Sequence, residues 1–503
     1  MTTPMKRPHF VDVARVTIEF DTPFRISGGD TNGLTDMEFI TDMNGLPTLP
    51  GTSIAGVLRH AYARHHGATN PDKSMSCKDL FGFQESDRGQ ASRIHVSWGC
   101  VHNSANQPQE GRIKSDDLKD AVLKLVQDGL VRDHVRLSHQ GVAADRAKYD
   151  ETVVCAGSRF TFELTLFSWK PAEREELNVL LQLLQSPLVR LGGASRRGMG
   201  SFRVHEYWQS GFDLSDPAGR AGWASWPVSL AQKPGVPATP GSKLTPPVET
   251  LATADLTLTP ESFWMIGGGI PHRKEHEITK VRRDKPEGDP SGRSTATAYP
   301  DFVDRVPYTE QRIIWENNKG TVTANPLHVL PGSAIKGALR HRTLFHLLAT
   351  TGELYADSAL STAEWDDAVE RLDAKLGPLF GQLKSGEEGK AGCVFIDDVY
   401  LTADPKYGMV QHVSLDRFTQ GPMDGLLFAE APLFKGGSLR VKVSVDVTGV
   451  GDNGAHFRAL RLAIEDLCEG RLALGAHAAR GYGYFEGTAK WKSEKGSWDG
   501  GAV

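Results

Sequence analysis

The chain has 503 residues, of which 39% are hydrophobic and 24% are charged, and its formal net charge is −5 at pH 7. This composition is typical of a globular protein with roughly two to four domains, and it excludes a protein that coats nucleic acid through bulk positive charge. The five cysteines are scattered and lack CxxC spacing, so we expect a reducing compartment and no zinc site. The sequence has neither an 18-residue apolar run nor an amino-terminal apolar segment, which predicts a cytoplasmic protein without membrane contact.

The first half of the chain alternates predicted strands and helices. Residues 11–20 and 159–167 alternate apolar and polar side chains and predict strands. Residues 49–60 read Leu-Pro-Gly-Thr-Ser-Ile-Ala-Gly-Val-Leu-Arg-His, which predicts a turn and a helix with Thr52 as N-cap and an amino end open to an anion. A capped amphipathic helix without a ligand fits these residues equally well. Residues 173–185 predict a second helix, and the glycine-rich stretch 191–202 closes this half.

The second half repeats the landmarks of the first in the same order. The Leu-Pro-Gly motif of 49–60 recurs at 330–341, and Leu-Phe-Gly occurs at 80–82 and at 379–381. The segment that begins at His134 has its counterpart at His412, and a glycine-rich closure recurs at 474–485. Because chance similarity would not preserve this order at nearly constant spacing, the sequence indicates an internal duplication.

The duplication predicts two modules, at 8–208 and 251–491. A Pro/Gly-rich linker over 209–250 joins them, and we expect Trp223 and Trp226 to hold it on a surface. The second module carries a polar and charged insertion at about 270–308, which is either an exposed loop or a segment that becomes ordered on RNA or a partner subunit. Residues 492–503 are predicted to be a loose tail.

The order of elements in each half predicts an α+β fold, with two tandem ferredoxin-like βαββαβ modules. In such a module the helices cover one face of the sheet, and we expect the other face to be open for a ligand. The closing loops place Arg196, Arg197 and Arg480 among glycines, which suits close contact of backbone amides and guanidinium groups with phosphates. Tight strand packing is the alternative explanation for the same glycines.

The Leu-Pro-Gly turn-helix, the Leu-Phe-Gly unit and the glycine-rich closure together resemble the RAMP superfamily of CRISPR-associated proteins. The resemblance covers nearly all of each half except the linker and the insertion, and it is strongest to the backbone subunit of type III effector complexes. Two such units in one chain resemble the double-backbone fusion of type III-D. The resemblance implies a modified RNA-recognition-motif fold, and in each module a thumb hairpin, at 134–154 and 412–433, that kinks the guide–target duplex. The implied partners are the CRISPR RNA guide, the complementary target RNA, further RAMP proteins and the large polymerase/cyclase-like subunit.

The family also implies cleavage of target RNA by a loop aspartate. Asp36 precedes Asp42 by six residues and Gly45-Leu46-Pro47 follow, as in the family pattern, so Asp36 is the catalytic candidate. The carboxylate would act as a base or help to hold Mg²⁺ (or Mn²⁺), with no organic cofactor and a 2′,3′-cyclic phosphate product. A solvated loop acid is the alternative.

The second half departs from this pattern. Counting back from its Leu-Pro-Gly turn gives Glu310 and Glu316 at the same spacing. Either Glu310 substitutes for the aspartate, or Asp304 reaches the site, or this half is inactive, and we expect one active site per chain.

The matching segments assign RNA contacts to a set of mostly basic residues, although the second thumb, with Asp416, Arg417 and Asp424, is the less basic of the two. The set comprises Arg25, Ser53, Arg59, Arg132, Arg136, Arg146, Lys148, Arg196, Arg197, Lys336, Arg340, Arg417 and Arg480. A non-catalytic guide-binding scaffold is compatible with the same motifs. A guide-processing nuclease would instead use a histidine such as His60, His65 or His66, and a phosphate-binding metabolic enzyme would need a Walker or Rossmann signature, which the sequence lacks.

Overall fold

The computed structural model describes residues 7–29, 35–138, 141–234, 239–240, 251–267, 303–351, 374–382, 389–401, 405–434, 437–450, 454–493 and 498. The chain divides into two compact units. The first comprises Met1–Ser195, Met199–Glu249 and Arg312–Thr323, and the second comprises Arg196–Gly198, Thr250–Gln311 and Ala324–Val503. Residues 268–302, which include most of the insertion predicted at about 270–308, and most of the predicted tail lie outside the described residues. Within the described ranges, no helix is both long enough and apolar enough to cross a membrane.

The first half contains both predicted strands and both predicted helices. Its strands are β1 Phe10–Phe20, β2 Thr48–Leu49, β3 Phe83–Glu85, β4 Arg88–Gln90, β5 Ile94–Val96, β6 Gly99–Val101, β7 Leu130–Leu137, β8 Ala143–Val153, β9 Arg159–Ser168, β10 Phe202–Asp213 and β11 Thr239–Pro240. Its helices are α1 Gly51–His65, α2 Met75–Phe81, α3 Ala121–Asp128, α4 Glu175–Leu183 and α5 Pro217–Ala224.

The second half repeats this order with longer helices. Its strands are β12 Leu251–Pro260, β13 Phe263–Trp264, β14 Thr309–Glu310, β15 Ile313–Glu316, β16 Lys319–Val322, β17 Leu327–Leu330, β18 Gly381–Gln382, β19 Lys390–Ala391, β20 Val394–Ile396, β21 Val399–Tyr400, β22 Lys406–Tyr407, β23 Val410–Leu415, β24 Pro422–Glu430, β25 Leu433–Phe434, β26 Leu439–Asp446 and β27 Phe485–Ser493. Its helices are α6 Gly332–Thr351, α7 Gly377–Phe380, α8 Val447–Val450 and α9 Gly454–Cys468.

The main sheets of the two units have the same antiparallel strand order. In the first unit the order is β11-β10-β1-β9-β6-β2, with β5 also paired to β9, and in the second it is β20-β26-β12-β27. The central strand comes first in sequence in both units. It pairs with the last strand of its module on one side and with the strand before the second helix on the other. The two halves therefore share one topology, as expected after duplication.

Each sheet packs its helices against one face. In the first unit Val16 and Ile18 of β1 lie in one core with Leu58 of α1 and Leu180 of α4, and all four side chains are fully buried. In the second unit Leu256 of β12 belongs to the equivalent core with helix residues of α6 and α9. Burying a Leu or Ile side chain contributes about 1.5–3 kcal/mol, so these helix–sheet contacts are the main source of stability in each unit.

The other face of the first sheet is covered, contrary to the predicted open face. Arg15 of β1 is 3% exposed. It pairs with Glu163 at 2.8 Å and donates hydrogen bonds to the carbonyl oxygens of Pro227, Ser229 and Gln232 at 2.6–2.8 Å. The indole of Trp226 donates to the same Glu163 carboxylate at 2.9 Å. The segment that the sequence assigns to a linker thus belongs to the first unit, and β10 runs past the predicted boundary at 208 to Asp213.

The hairpin β15–β16 also belongs to the first unit. Trp315 lies over the guanidinium group of Arg159, with 4.1 Å between Cζ and the ring centroid, and its Nε1 donates to the carbonyl of Gly157 at 2.7 Å. Arg159 in turn pairs with Glu19 at 2.9 Å. Buried charges on this face therefore have partners, as burial in a low-dielectric environment requires.

The second sheet differs, because its corresponding face is polar and exposed within the described part of the chain. Arg440 and Lys442 of β26 and Lys490 of β27 are exposed, and Lys492 pairs with Asp255 of β12 at 3.1 Å. The prediction of an open face therefore describes the second unit only.

The first Leu-Pro-Gly helix begins without the predicted side-chain cap. Helix α1 has Pro50 at its N-cap, and Thr52 lies in the first turn without a capping hydrogen bond. In α6 the backbone amide of Gly332 donates to Asp398 Oδ1 at 2.7 Å. The protein's own carboxylate therefore lies where the sequence predicts an external anion, because an acid at a helix amino end is favoured by the helix dipole.

A buried aspartate joins α6 to α9 and gives the first prediction. Asp466 is 3% exposed and accepts hydrogen bonds from Arg342 Nε at 2.5 Å and His346 Nε2 at 2.6 Å. Asp466→Ala leaves these donors without their acceptor, and we expect it to lower the free energy of unfolding by about 3 kcal/mol. On the same helix, Glu465→Gln removes only a half-exposed pair with Arg461, so it should cost about 0.5 kcal/mol or less in chemical denaturation.

The stability that Asp466 contributes to the fold depends on pH. Burial raises the pKa of Asp466, but hydrogen bonds from Arg342 and His346 outweigh it, so the pKa lies below its ordinary value. A depressed carboxyl pKa stabilises the fold above the unfolded-state pKa of about 3.9, and this contribution is lost as pH falls through the folded-state pKa. The difference between wild type and Asp466→Ala should therefore shrink below about pH 4. A difference that stays constant down to pH 2 would contradict the assigned ion pair.

Candidate functional site

Each unit carries an antiparallel hairpin that matches a predicted thumb. We call β7–β8 the first hairpin and β23–β24 the second hairpin. Both present large apolar side chains to solvent. The exposed ones are Val131, Val135, Leu137 and Val142 in the first hairpin and its turn, and Val413, Leu415, Phe418, Met423, Leu426 and Leu427 in the second. Such apolar surface on a two-stranded ribbon indicates contact with another molecule.

The base of the first hairpin holds the loop that contains Asp36. The Asp36 amide donates to Asp150 Oδ1 at 2.8 Å, and the Asp150 amide donates to Asp36 Oδ2 at 3.0 Å. Next to this pair, the Thr152 amide donates to the Met37 carbonyl at 2.9 Å. The Asp36 side chain is exposed, and its Oδ1 has no hydrogen-bond partner among the described residues. The loop is therefore fixed on β8 while one carboxylate oxygen faces solvent.

A buried carboxylate lies directly behind this loop. Glu151 is fully buried and binds Arg25 Nε at 2.7 Å with one oxygen and His134 Nε2 at 2.8 Å with the other. The ring of His134 stacks on Tyr149, with 5.0 Å between centroids. Burial raises the pKa of Glu151, but His134 and Arg25 outweigh it and lower that pKa to about 2. Glu151 is therefore ionised at neutral pH.

The second unit reproduces this arrangement around Asp304. The Asp304 amide donates to the Ala429 carbonyl at 2.9 Å, and the Ala429 amide donates to Asp304 Oδ2 at 2.8 Å. Ala431 N donates to the Arg305 carbonyl at 3.0 Å, as Thr152 N does to the Met37 carbonyl. Asp304 is exposed, like Asp36. By its hydrogen bonds to the hairpin base, Asp304 is the structural counterpart of Asp36.

Glu310 instead takes the position of Asp42. It follows Asp304 by six residues, as Asp42 follows Asp36. Glu310 is 2% exposed and accepts hydrogen bonds from the hydroxyls of Tyr308 at 2.6 Å and Tyr400 at 2.9 Å. Of the two acids that the sequence left open, counting back from the Leu-Pro-Gly turn points to Glu310, because the hairpin β15–β16 lengthens the segment between Glu310 and Leu330.

The buried carboxylate also recurs, with different partners. Glu430 is fully buried and binds His412 Nε2 at 3.0 Å and His477 Nε2 at 2.7 Å, with Arg305 Nη1 at 3.6 Å. The ring of His412 stacks on Phe428 at 4.8 Å, as His134 stacks on Tyr149. Burial lowers the pKa of His477, although Glu430 opposes this shift.

The comparison with known families agrees with this repeated geometry. The family model of the RAMP superfamily matches residues 17–203 and again residues 257–486, which together make up most of the chain. The chain belongs to the RAMP superfamily. RAMP proteins are in general CRISPR-associated and bind CRISPR RNA and other Cas subunits, and the two matched regions confirm the predicted double RAMP organisation. No curated protein matches the chain.

The RAMP modules expose only part of the predicted RNA-binding set. The exposed members are Arg136, Arg146, Lys148, Arg197, Arg417 and Arg480. Three of these, Arg136, Arg146 and Lys148, lie on the first hairpin, and Arg417 lies in the turn of the second. Basic side chains therefore flank the exposed apolar residues of the hairpins, a combination suited to phosphates and bases.

The other predicted RNA contacts have structural partners or are buried. Arg25 pairs with Glu151, Arg59 pairs with Asp72 at 2.7 Å, and Arg132 is 3% exposed. Ser53 and Arg340 are half-buried on their helices. Basic residue type alone does not distinguish an exposed phosphate ligand from a buried ion-pair member.

Lys336 of the second Leu-Pro-Gly helix is also buried. Its Nζ donates to the carbonyls of Val394 at 2.9 Å and Arg196 at 3.0 Å, and Arg196 Nε donates to the Gly392 carbonyl at 2.5 Å. Burial, with a contribution from nearby arginines, lowers the pKa of Lys336 to about 7. The side chains of Lys336 and Arg196 thus hold the segment Arg196–Gly198 in place. The guanidinium group of Arg197 in this segment is exposed.

At two equivalent positions of the glycine-rich closures, glycine serves tight packing of the chain, which is the alternative to phosphate contact. Gly192 has φ +94°, and a Cβ there would lie 2.5 Å from the Arg25 carbonyl oxygen. Gly475 has φ +92°, and its Cβ would lie 2.3 Å from the Met265 carbonyl oxygen. Since any side chain would meet backbone at both positions, glycine is required there for close chain packing.

The described residues contain no group of three or more His, Cys, Asp or Glu side chains that could hold a metal ion. At the first hairpin base the described residues supply two carboxylates, those of Asp36 and Asp150, and each accepts a hydrogen bond from the amide of the other residue. One or two carboxylates together with substrate phosphates are the usual ligands of Mg²⁺, so this donor set suits Mg²⁺ only when RNA is bound.

Glu151, Glu430 and His477 were not among the sequence candidates. The signal was present, because Glu151 follows His134 at nearly the same spacing as Glu430 follows His412. An acid that recurs after an aligned histidine in both repeats could have been selected on that basis.

Proposed function

We propose that this RAMP protein is a double-backbone subunit of a type III CRISPR effector complex, similar to the type III-D fusions. Its two ferredoxin-like modules would bind adjacent positions of the CRISPR RNA guide, and each would cleave complementary target RNA, at Asp36 and at Asp304. Its neighbours in the complex would be further RAMP subunits and the large polymerase/cyclase-like subunit. The expectation of a single active module is thereby extended to two.

One observation carries this proposal. In both units the carboxylate of an exposed aspartate accepts a hydrogen bond from a backbone amide at the base of a hairpin with exposed apolar residues, and the aspartate's own amide donates to the same hairpin residue. The flanking sequences differ, since Met37 and Asp150 correspond to Arg305 and Ala429. The placement of the acid, rather than its surroundings, is what the two repeats share, as expected if the acid acts on a ligand held by the hairpin.

The chemistry follows from this placement. A hairpin that separates bases of the guide–target duplex would turn a target ribose so that its 2′-oxygen lines up with the adjacent phosphorus. The Asp36 carboxylate would take the 2′-hydroxyl proton through Oδ1, while the new O–P bond forms and the 5′-oxygen leaves and takes a proton from water. The products are a 2′,3′-cyclic phosphate and a 5′-hydroxyl. Asp304 would act in the same way in the second module.

Mg²⁺ or Mn²⁺ would be held by Asp36 and Asp150 with the target phosphate, and it would neutralise phosphate charge there. The second module has alanine at the position of Asp150, so of these two carboxylates it keeps a counterpart of Asp36 alone, namely Asp304. We therefore expect the second cut to need a higher divalent-ion concentration than the first.

The alternative is a non-catalytic scaffold that binds guide and target without cutting. The experiment that separates the two assembles the complex on guide RNA with an end-labelled complementary target, with and without a chelator. Our proposal predicts two cuts that disappear on chelation, with target affinity preserved. Target that is bound tightly and stays intact at saturating Mg²⁺ would favour the scaffold.

A further inference from the structure

The buried carboxylates Glu151 and Glu430 lie next in sequence to the residues that hold the two candidate catalytic acids. Asp150, whose amide binds Asp36, precedes Glu151, and Ala429, whose amide binds Asp304, precedes Glu430. In addition, Met37 and Glu151 form a parallel backbone bridge, and so do Arg305 and Glu430. Each glutamate therefore shares its backbone segment with the attachment point of the loop.

Each glutamate also ties three separate pieces of chain together. Glu151 belongs to β8 and binds His134 of β7 and Arg25 of the loop after β1. Glu430 belongs to β24 and binds His412 of β23 and His477 of the glycine-rich closure. A fully buried carboxylate is tolerated only with such partners, and two short charge-assisted contacts in different directions restrict its position.

The partners differ between the units, although the arrangement is the same. Arg25 supplies the second contact in the first unit, and His477 supplies it in the second unit, from a different part of its module. Burying a charge is costly, and an apolar residue of similar volume would stabilise such a position as well or better. That both repeats keep the buried carboxylate and its histidine partner while exchanging the other partner indicates a role beyond stability.

We propose that Glu151 and Glu430 are positioning residues for target cleavage. Each fixes the hairpin base, so that the neighbouring amide holds the catalytic aspartate in the orientation needed at the kinked RNA. This inference rests on the proposed function, because it requires that Asp36 and Asp304 make the cuts. A displacement of about 1 Å at a reacting group lowers a rate by about a hundredfold, so this is the effect we expect when the glutamate is replaced.

The test uses the whole complex with guide RNA and measures both cuts in one target molecule. Glu151→Gln should slow the first-module cut about a hundredfold at saturating target, with target affinity and the second-module cut unchanged. Glu430→Gln should do the reverse. Asp145→Asn, which removes an exposed carboxylate from the same strand β8, is the matched control and should leave both cuts at wild-type rates. A merely structural role would instead reduce assembly, target affinity or both cuts together.

A second variant covers the case in which Glu151→Gln does not assemble. His134→Phe keeps an aromatic ring beside Tyr149 but removes the imidazole nitrogen that lies 2.8 Å from a Glu151 carboxylate oxygen, and it should also slow only the first cut. Wild-type rates at both cuts in an assembled Glu151→Gln complex, or in the His134→Phe complex where the former fails, would overturn the positioning role. Asp36→Ala is measured in parallel: if it also leaves the first cut intact, the proposed function fails, whereas if it alone abolishes the cut, only the positioning role does.

Discussion

Asp304→Ala is expected to abolish the target cut made by the second module and to leave the cut of the first module at its wild-type rate, while Asp36→Ala does the reverse. Removing a general base typically costs between 10² and 10⁴ in rate, so each affected cut should slow by roughly a thousandfold. The reason is that Asp36 and Asp304 hold equivalent positions on the two hairpin bases, each with one oxygen bound to a hairpin amide. Mapping the product ends on a sequencing gel assigns each lost cut to its module.

Two further variants make this result specific. Glu310→Gln should leave the second cut in place, because Glu310 is buried between Tyr308 and Tyr400 and does not face the hairpin base. Asp424→Asn removes an exposed acid from the second hairpin itself and should also leave the second cut in place. Loss of the second cut in Glu310→Gln, with an unchanged cut in Asp304→Ala, would reverse the assignment of the acid.

We expect weaker RNA binding, and a binding constant that depends less steeply on salt, when the three exposed basic residues of the first hairpin are replaced with glutamine. These residues are Arg136, Arg146 and Lys148. Each lost contact with a single-stranded phosphate lowers the slope of log K against log salt by about 0.7, so three should lower it by about 2. Filter binding or fluorescence anisotropy over a salt series, with the assembled complex and target RNA, measures this slope.

The matched control removes the same number of positive charges from a different segment of the chain. Lys114, Lys119 and Lys124 are exposed in and before α3, outside the two strands of the hairpin, and their triple replacement with glutamine should leave the slope unchanged. Equal slopes for the two triple variants would show that the hairpin does not carry the phosphate contacts.

Local patterns in the sequence were sufficient for the elements and the duplication. Strand β1 follows from the alternation of residues 11–20, and the two Leu-Pro-Gly helices follow from a turn and helical spacing in both copies. These features depend on interactions between residues close together in the chain, so a single sequence contains what is needed to predict them. The candidate Asp36 could also be selected from the sequence, because its spacing to Asp42 lies within one uninterrupted segment.

Apart from the missing Thr52 cap, the differences between prediction and structure concern long-range partners. Asp304 was ranked with Glu310 because the hairpin β15–β16 broke the count from the Leu-Pro-Gly turn. The outer face of the first sheet was expected to be open, but Arg15 binds carbonyls of a segment at the far end of its unit's sequence. Arg25 was assigned to RNA although Glu151, at the distant base of the first hairpin, neutralises it. No local pattern states which distant group a charge will meet.

Target cleavage by the complex that carries Asp36→Ala together with Asp304→Ala tests both assigned catalytic acids at once. We predict that this complex binds guide and target RNA with wild-type affinity and leaves the target intact, while the wild-type complex cuts it at two positions. Two cuts at wild-type rates in the double variant would show that neither aspartate is the catalytic acid, and would contradict the account.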